Sequence, residues 1–192
     1  MLSSITGKSL SWKFYQIYQK RLTSKKKDDL KEHAQAHTML PKAYFDGAAH
    51  NGSCGCGVQI TVNENVQYLI HWNGGMGSNS KAEASTLACL LNFCFFLNIQ
   101  AVTIFGDSKV MVDYVLGKNN IYKPHLLGWM DRIRFFWSRM EGCSIHHISR
   151  AQNQQADTLS KGGLQSDPGF WYMKVKFEGE IFPIQDFSLP GF

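Results

Sequence analysis

No apolar run in this 192-residue chain approaches the ~18 residues that a membrane-spanning helix needs. The longest candidate, around Leu87 to Leu97, is interrupted by Asn92 and reads as a buried helix, so no membrane partner is expected. Cysteine is also sparse. The five residues Cys54, Cys56, Cys89, Cys94 and Cys143 are too scattered for the disulfide framework of a secreted scaffold and are read as reduced. Cys54-Gly55-Cys56 lacks a second Cys or His pair at zinc-finger spacing, and His33 and His37 have no third ligand nearby. The glycine-spaced stretch His50 to Gly57 lacks the Lys-Ser/Thr ending of a phosphate-binding loop and opens no helix, so it reads as a loop between two strands. No acid precedes Asp28, and that absence in a serine-containing start allows an organelle transit peptide in the first twenty-odd residues. Nuclear or cytoplasmic residence is the expectation otherwise.

What the chain does have is a core. It is 44% hydrophobic and 13% aromatic, which excludes a disordered polymer and suits one ordinary domain with tails. The formal charge of +5 is uneven: residues 1 to 41 hold eight Lys or Arg against three acids, and the remainder balances twelve against twelve. If cations occupied four of those twelve acids, both segments would favour a polyanion. The run Lys25-Lys26-Lys27 by itself reads as a solvated linker.

In chain order, Leu10, Phe14, Ile17, Tyr18 and Leu22 recur at helical spacing, and Pro41 closes this basic segment. A strand through Tyr44 and Phe45 ends in Asp46-Gly47, followed by strands at Val58 to Val62 and Val66 to Ile70. A long helix opens at Ser80 and runs to about Asn98, burying Leu87, Leu90, Leu91, Cys94 and Leu97. Next come a strand at Ala101 to Phe105, a helix at Lys109 to Leu116 and a helix at Leu126 to Met140. A strand at Cys143 to Ile148 precedes a last helix opening near Gln152. From Gly162 onward the sequence reads as irregular and aromatic, an extension that packs against the domain or is partly disordered, with no chemistry of its own. The expected organisation is a basic tether (1–41), a domain (42–164) and an extension (165–192).

Four isolated acids, Asp46, Glu83, Asp107 and Asp157, each stand at the edge of an apolar element, and their convergence on metal is the central expectation. Each also has a plainer reading. Asp46-Gly47 is a turn signal; Ser80-Lys81-Ala82-Glu83 is a capping box; Asp107 is an ordinary N-cap. Asp157, expected in mid-helix, has the weakest structural excuse, because aspartate is a poor helix former with nothing there to cap.

The motifs Phe45-Asp46-Gly47-Ala48, Ser78-Asn79-Ser80-Lys81-Ala82-Glu83, Phe105-Gly106-Asp107-Ser108 and His147-Ile148-Ser149-Arg150-Ala151-Gln152-Asn153-Gln154-Gln155-Ala156-Asp157, in this order, resemble type 1 ribonuclease H. The version they look most like accompanies the reverse transcriptase of plant LINE-type retrotransposons. The resemblance covers about residues 42 to 164. It implies an α/β fold, a mixed five-stranded sheet with helices on both faces. It also implies a tether from an upstream retroelement region, which would make Met1 the start of a fragment or of a domesticated gene. The implied activity is hydrolysis of the RNA strand of an RNA/DNA hybrid, leaving 3′-hydroxyl and 5′-phosphate ends. Two magnesium ions, with manganese as a substitute, would act in it.

By the same resemblance Asp46 would bridge both ions, Glu83 and Asp107 would hold the leaving-group ion, and Asp157 the water-activating one. The backbone at Gly47 and Ala48, with Asn79, Ser80 and Ser108, would read 2′-hydroxyls; Ser78 and Asn51 would contact phosphates of the DNA strand. His147 and Arg150 both compete for the family's product-release role, and the basic protrusion of some relatives is missing, since Gly117 to Pro124 is short. An adjacent reverse transcriptase is the implied partner. The alternatives are a domesticated non-catalytic nucleic-acid binder of the same fold, a proofreading-type exonuclease and a small-molecule α/β protein whose acids are only caps.

Overall fold

The computed structural model describes residues 40–185, with the side chains of Ile184 and Gln185 outside that description. The Leu10 to Leu22 stretch, Lys25-Lys26-Lys27, His33, His37, Phe187 and Phe192 lie outside the described residues.

Strand β1 (Lys42–His50) turns through Asn51-Gly52 into β2 (Ser53–Asn63), which pairs in turn with β3 (Val66–Met76). Both turn residues have positive φ, 49° and 78°, the conformation that matches a two-residue hairpin to the twist of its strands. The glycine-spaced stretch expected as a loop is therefore mostly strand. Gly55 and Gly57 are there for contact: a β-carbon on Gly55 would lie 2.1 Å from the carbonyl oxygen of Ser160, and one on Gly57 2.3 Å from the Ser160 nitrogen.

Helix α1 (Asn79–Phe96) follows, then β4 (Ala101–Gly106), α2 (Lys109–Val115), a 3-10 turn at Pro124–Leu126, α3 (Leu127–Trp137) and β5 (Gly142–His147). A second 3-10 turn at Arg150–Gln152 leads into α4 (Gln154–Leu164). The chain then adds β6 (Trp171–Phe177) and β7 (Glu180–Gln185). The seven strands make one mixed sheet in the order β5-β4-β1-β2-β3-β6-β7, with β1, β4 and β5 parallel and the rest antiparallel.

The expected five-stranded sheet is thus two strands short. β3 has an edge that the 171–177 segment completes, pairing Tyr68 with Val175 and Trp72 with Trp171. The indole rings of Trp72 and Trp171 stack at 4.1 Å. The β6–β7 hairpin closes through Glu178 and Gly179, both at positive φ. The alternation Trp171, Met173, Val175 against Tyr172, Lys174, Lys176 is strand-like; the aromatic density around it obscures the period.

The core lies between one sheet face and α1 and α3. Phe45, Val58, Ile60, Ile70 and Ile104 meet Leu87, Leu90, Leu91, Met130 and Ile133 there, all fully buried. α1 is buried on every side from Ala82 to Cys94, so Thr86 and Cys89 are as deep as the leucine stripe. α4 seats on the opposite face through the glycines of β2, and Gly163 lets it touch β3, where a β-carbon would come within 2.4 Å of the Trp72 carbonyl oxygen.

Candidate active site

Three strand ends set the position of the site. Phe45 pairs with Gly106, and Gly106 with His147, so β1, β4 and β5 bring Asp46, Asp107 and the Ser149 turn to one edge. The carboxyl edge of parallel strands is where an α/β sheet exposes functional groups. Glu83 arrives from the other face of β1. Because Gly47 has no side chain, the Ala82–Glu83 backbone packs directly on the strand.

Asp46, Glu83 and Asp107 each place a carboxylate oxygen within 4.8 Å of the other two. Three of the four acids that the sequence singles out thus lie together, and the structure removes two of their plainer readings. α1 begins at Asn79 and not at Ser80; its N-cap is Ser78, whose hydroxyl accepts from the Lys81 amide at 3.3 Å. Glu83 is therefore inside the helix, with no cap to serve. The N-cap of α2 is Ser108 and not Asp107.

The electrostatics are those of crowded anions. Burial pushes the Glu83 carboxyl up to about 9, with the charges of Asp46 and Asp107 adding to it and the Gly47 amide opposing. Asp46 is raised to about 6 by burial and by Asp107 and Asp157, against the hydroxyl of Ser160. One buried oxygen of Glu83, Oε2, has no hydrogen-bond partner. Leaving such an atom unpaired costs about 1–3 kcal/mol, and an oxygen-rich cluster of this kind is the donor set of a hard divalent cation.

Asp157 stands apart from the trio. It lies in the first turn of α4 and not in mid-helix, because the 3-10 turn delays the helix start to Gln154. Its carboxylate accepts from Arg150 at 2.5 and 3.1 Å and from Lys161 at 2.6 Å. Although burial acts against it, these two partners hold the carboxyl below its ordinary range.

Of the two product-release candidates, Arg150 lies in the 3-10 turn, bonded to Asp157, and His147 lies at the end of β5. Arg150 contributes its charge to Glu83 and receives that of Asp46 and Asp107. His147 is exposed at the end of β5. Of the expected substrate residues, Asn79 ties α1 to β1 by accepting from the Ala49 amide at 3.2 Å. Ser78 and Asn79 are exposed, Ser80 and Ala48 half-buried, and Gly47 buried. Ser108 makes no side-chain capping bond, and Asn51 sits exposed in the β1–β2 turn.

Two further residues escape sequence reasoning. Asn153, 1% exposed, donates through Nδ2 to the Phe45 carbonyl at 2.8 Å and to Asp107 at 3.0 Å, joining β1 to β4. Ser160 donates its hydroxyl to Asp46. Asn153 stands inside the last motif, and Ser160 three residues beyond Asp157, but neither position carries a signal until the helix is docked.

Sheet order, flanking helices and acid-lined edge together define a ribonuclease H-like domain. The solved ribonuclease H1 of Halobacterium salinarum matches at TM-score 0.59 and 24% identity, over 65% of this chain and 97% of that one. A ribonuclease H1 from compost, solved in complex with an RNA/DNA hybrid, matches at TM-score 0.59 and 22% identity, over 65% and 96%. An N-terminal ribonuclease H domain from Mycobacterium tuberculosis matches at 0.56 and 21%, over 64% and 98%. By sequence, ribonuclease HI of Halobacterium salinarum is 26% identical over 125 residues, and the match spans 64% of this chain and 63% of that relative's length. The chain belongs to the family described as reverse transcriptase-like, which matches residues 45–163.

Proposed function

We propose that the protein is an endoribonuclease that hydrolyses the RNA strand of an RNA/DNA hybrid with the help of two magnesium ions, for which manganese substitutes. The observation that carries this reading is the convergence of Asp46, Glu83 and Asp107 with a buried, unpartnered Glu83 oxygen among them. Relatives named ribonuclease H, one solved with a hybrid, support the substrate.

Asp46, Glu83 and Asp107 would hold one ion, and Asp46 with Asp157 the other. Bound there, divalent cations lower the pKa of an attacking water and stabilise the leaving oxygen. The remaining work falls to the chain itself. Asn153 keeps Asp107 beside β1. The N-terminus of α1 offers Ser78, Asn79 and Ser80 next to Ala48, where backbone and hydroxyl groups can read 2′-hydroxyls and phosphates; Ser108 and Asn51 complete that surface. Arg150 supplies positive charge toward the departing phosphate, in preference to His147. The family description supports an origin beside a reverse transcriptase, and we take a plant retroelement as that source.

One observation favours a second reading. Arg150 and Lys161 already neutralise Asp157, as they would in a non-catalytic hybrid binder. Labelled RNA paired with DNA, incubated with magnesium, separates the two. Cleavage abolished by Asp46→Asn is the expected result; hybrid binding without metal-dependent cleavage leaves the binder.

A further inference from the structure

We propose that Ser160 is a positioning residue for Asp46, fixing the plane of that carboxylate so that the site captures its divalent ion. This rests on the metal-dependent reading above.

The geometry starts in the sheet. Asp46 pairs across the β1–β2 ladder with Gly57, so both face α4. A β-carbon on Gly57 would stand 2.3 Å from the Ser160 nitrogen, and one on Gly55 2.1 Å from its carbonyl oxygen. The Ser160 backbone therefore lies directly on β2, and its side chain emerges against the neighbouring Asp46. The residue is fully buried, at 0% exposure, beside a carboxylate that is itself only 5% exposed.

A serine inside a helix normally returns its hydroxyl proton to a carbonyl of the preceding turn. Such a carbonyl is available here: the Asp157 oxygen lies 2.9 Å from Ser160 Oγ. The Asp46 oxygen is the nearer acceptor and carries charge, and bonds to charged acceptors are roughly twice as strong as neutral ones. The proton is thus given to Asp46, and the hydroxyl links β1 to the α4 turn that carries Asp157. Among the described residues, Asp46 is the carboxylate side chain to which the Ser160 hydroxyl bonds, so Ser160 acts through Asp46. Partners of this kind change metal affinity by about 10- to 100-fold when removed.

The test measures binding of manganese alone, without nucleic acid, by electron paramagnetic resonance. Four proteins are compared: the wild type, Ser160→Ala, Ser160→Thr, which keeps the hydroxyl, and Ser160→Val, which has the same shape without it. Melting temperatures in EDTA run in parallel. The expected result is a loss of about 10- to 100-fold in manganese affinity for the Ala and Val variants, with Thr bound much more tightly than Val. Equal affinity for Thr and Val, or a lowered melting temperature in EDTA with wild-type affinity for Ala, overturns the role of Ser160 while the metal site stands. A wild type that binds no manganese takes both readings down together. Should the two larger side chains prevent folding, the Ala and wild-type proteins decide the question by the same criterion.

Discussion

Gly47 and Glu83 occupy what would otherwise be one volume: a β-carbon on Gly47 would come within 2.3 Å of the Glu83 nitrogen and of the Ala82 carbonyl carbon. Both obstacles are backbone, so neither can swing aside. Gly47→Ala should push α1 off β1 and carry Glu83 away from Asp46. We expect a stability loss of about 1–3 kcal/mol from overpacking and a fall of about 100-fold in cleavage from the displaced carboxylate. Urea midpoints and hybrid cleavage report the two effects separately. A fully active Gly47→Ala protein would mean that close backbone packing on β1 is not what positions Glu83.

The metal-free protein should lose stability as pH rises. Glu83 and Asp46 are held at about 9 and about 6, above their ordinary values of 4.5 and 3.8. The native state thus binds protons more tightly than the unfolded chain does. That contribution is complete below the unfolded values and disappears as pH climbs through each folded one, between roughly pH 4 and 9. Melting temperatures in EDTA should decline across this window, and Glu83→Gln should flatten the upper part. Added divalent ions should restore stability at high pH, since their binding requires the ionised carboxylates.

Lys161 and Arg150 compete with any cation for Asp157. Lys161 is 59% exposed, and exposed pairs are typically worth about 0.2–1 kcal/mol. Lys161→Gln should accordingly lower the magnesium concentration for half-maximal cleavage by about 1.4- to five-fold, the same energy read as a ratio. An unchanged or raised magnesium requirement argues that the pair does not oppose the ion.

Arg150 and His147 should part company in kinetics. With its guanidinium near the acids, Arg150→Ala is expected to slow turnover by about 10- to 100-fold. His147→Ala, on an exposed strand end, should leave turnover close to wild type. Multiple-turnover rates against single-turnover rates locate the effect at product release; the reverse ranking of the two variants contradicts the assignment.

The added strands should carry real stability. Trp171, 9% exposed, stacks on Trp72 and meets Phe93 at 6.3 Å between ring centroids. Trp171→Ala should cost about 3–5 kcal/mol, read from the denaturation midpoint. Ending the chain after residue 170 should leave β3 with an open edge and a tendency to associate, visible by light scattering.

Much of this molecule is legible in the sequence because strand and helix periods are local. The strand before Asp46, the buried stripe at Leu87, Leu90, Leu91 and Cys94, and the apolar strand before Gly106 all reappear in the folded chain. Sequence and structure part where a residue's meaning depends on a distant neighbour. Gly55 and Gly57 read as loop because glycine is ambiguous between turning and making room. Trp171 to Phe177 read as irregular because an edge strand is completed by its partner. Periodicity starts the last helix two residues early and puts Asp157 in mid-helix, because the 3-10 turn at Arg150–Gln152 shares the helical period.

By itself the sequence determined which chemistry was available: four carboxylates at element edges, one glycine behind the first of them, and an arginine near the last. Only the tertiary structure decided how that chemistry is arranged. It drew Asp46, Glu83 and Asp107 within 4.8 Å while Arg150 and Lys161 took Asp157, and it placed the Ser160 hydroxyl on Asp46 from 114 residues away along the chain. The reason is physical. Periodicity reports which face of an element is apolar, whereas the distance between two carboxylates depends on strand register and on how closely helices can approach, and both are set by packing between residues far apart in the chain.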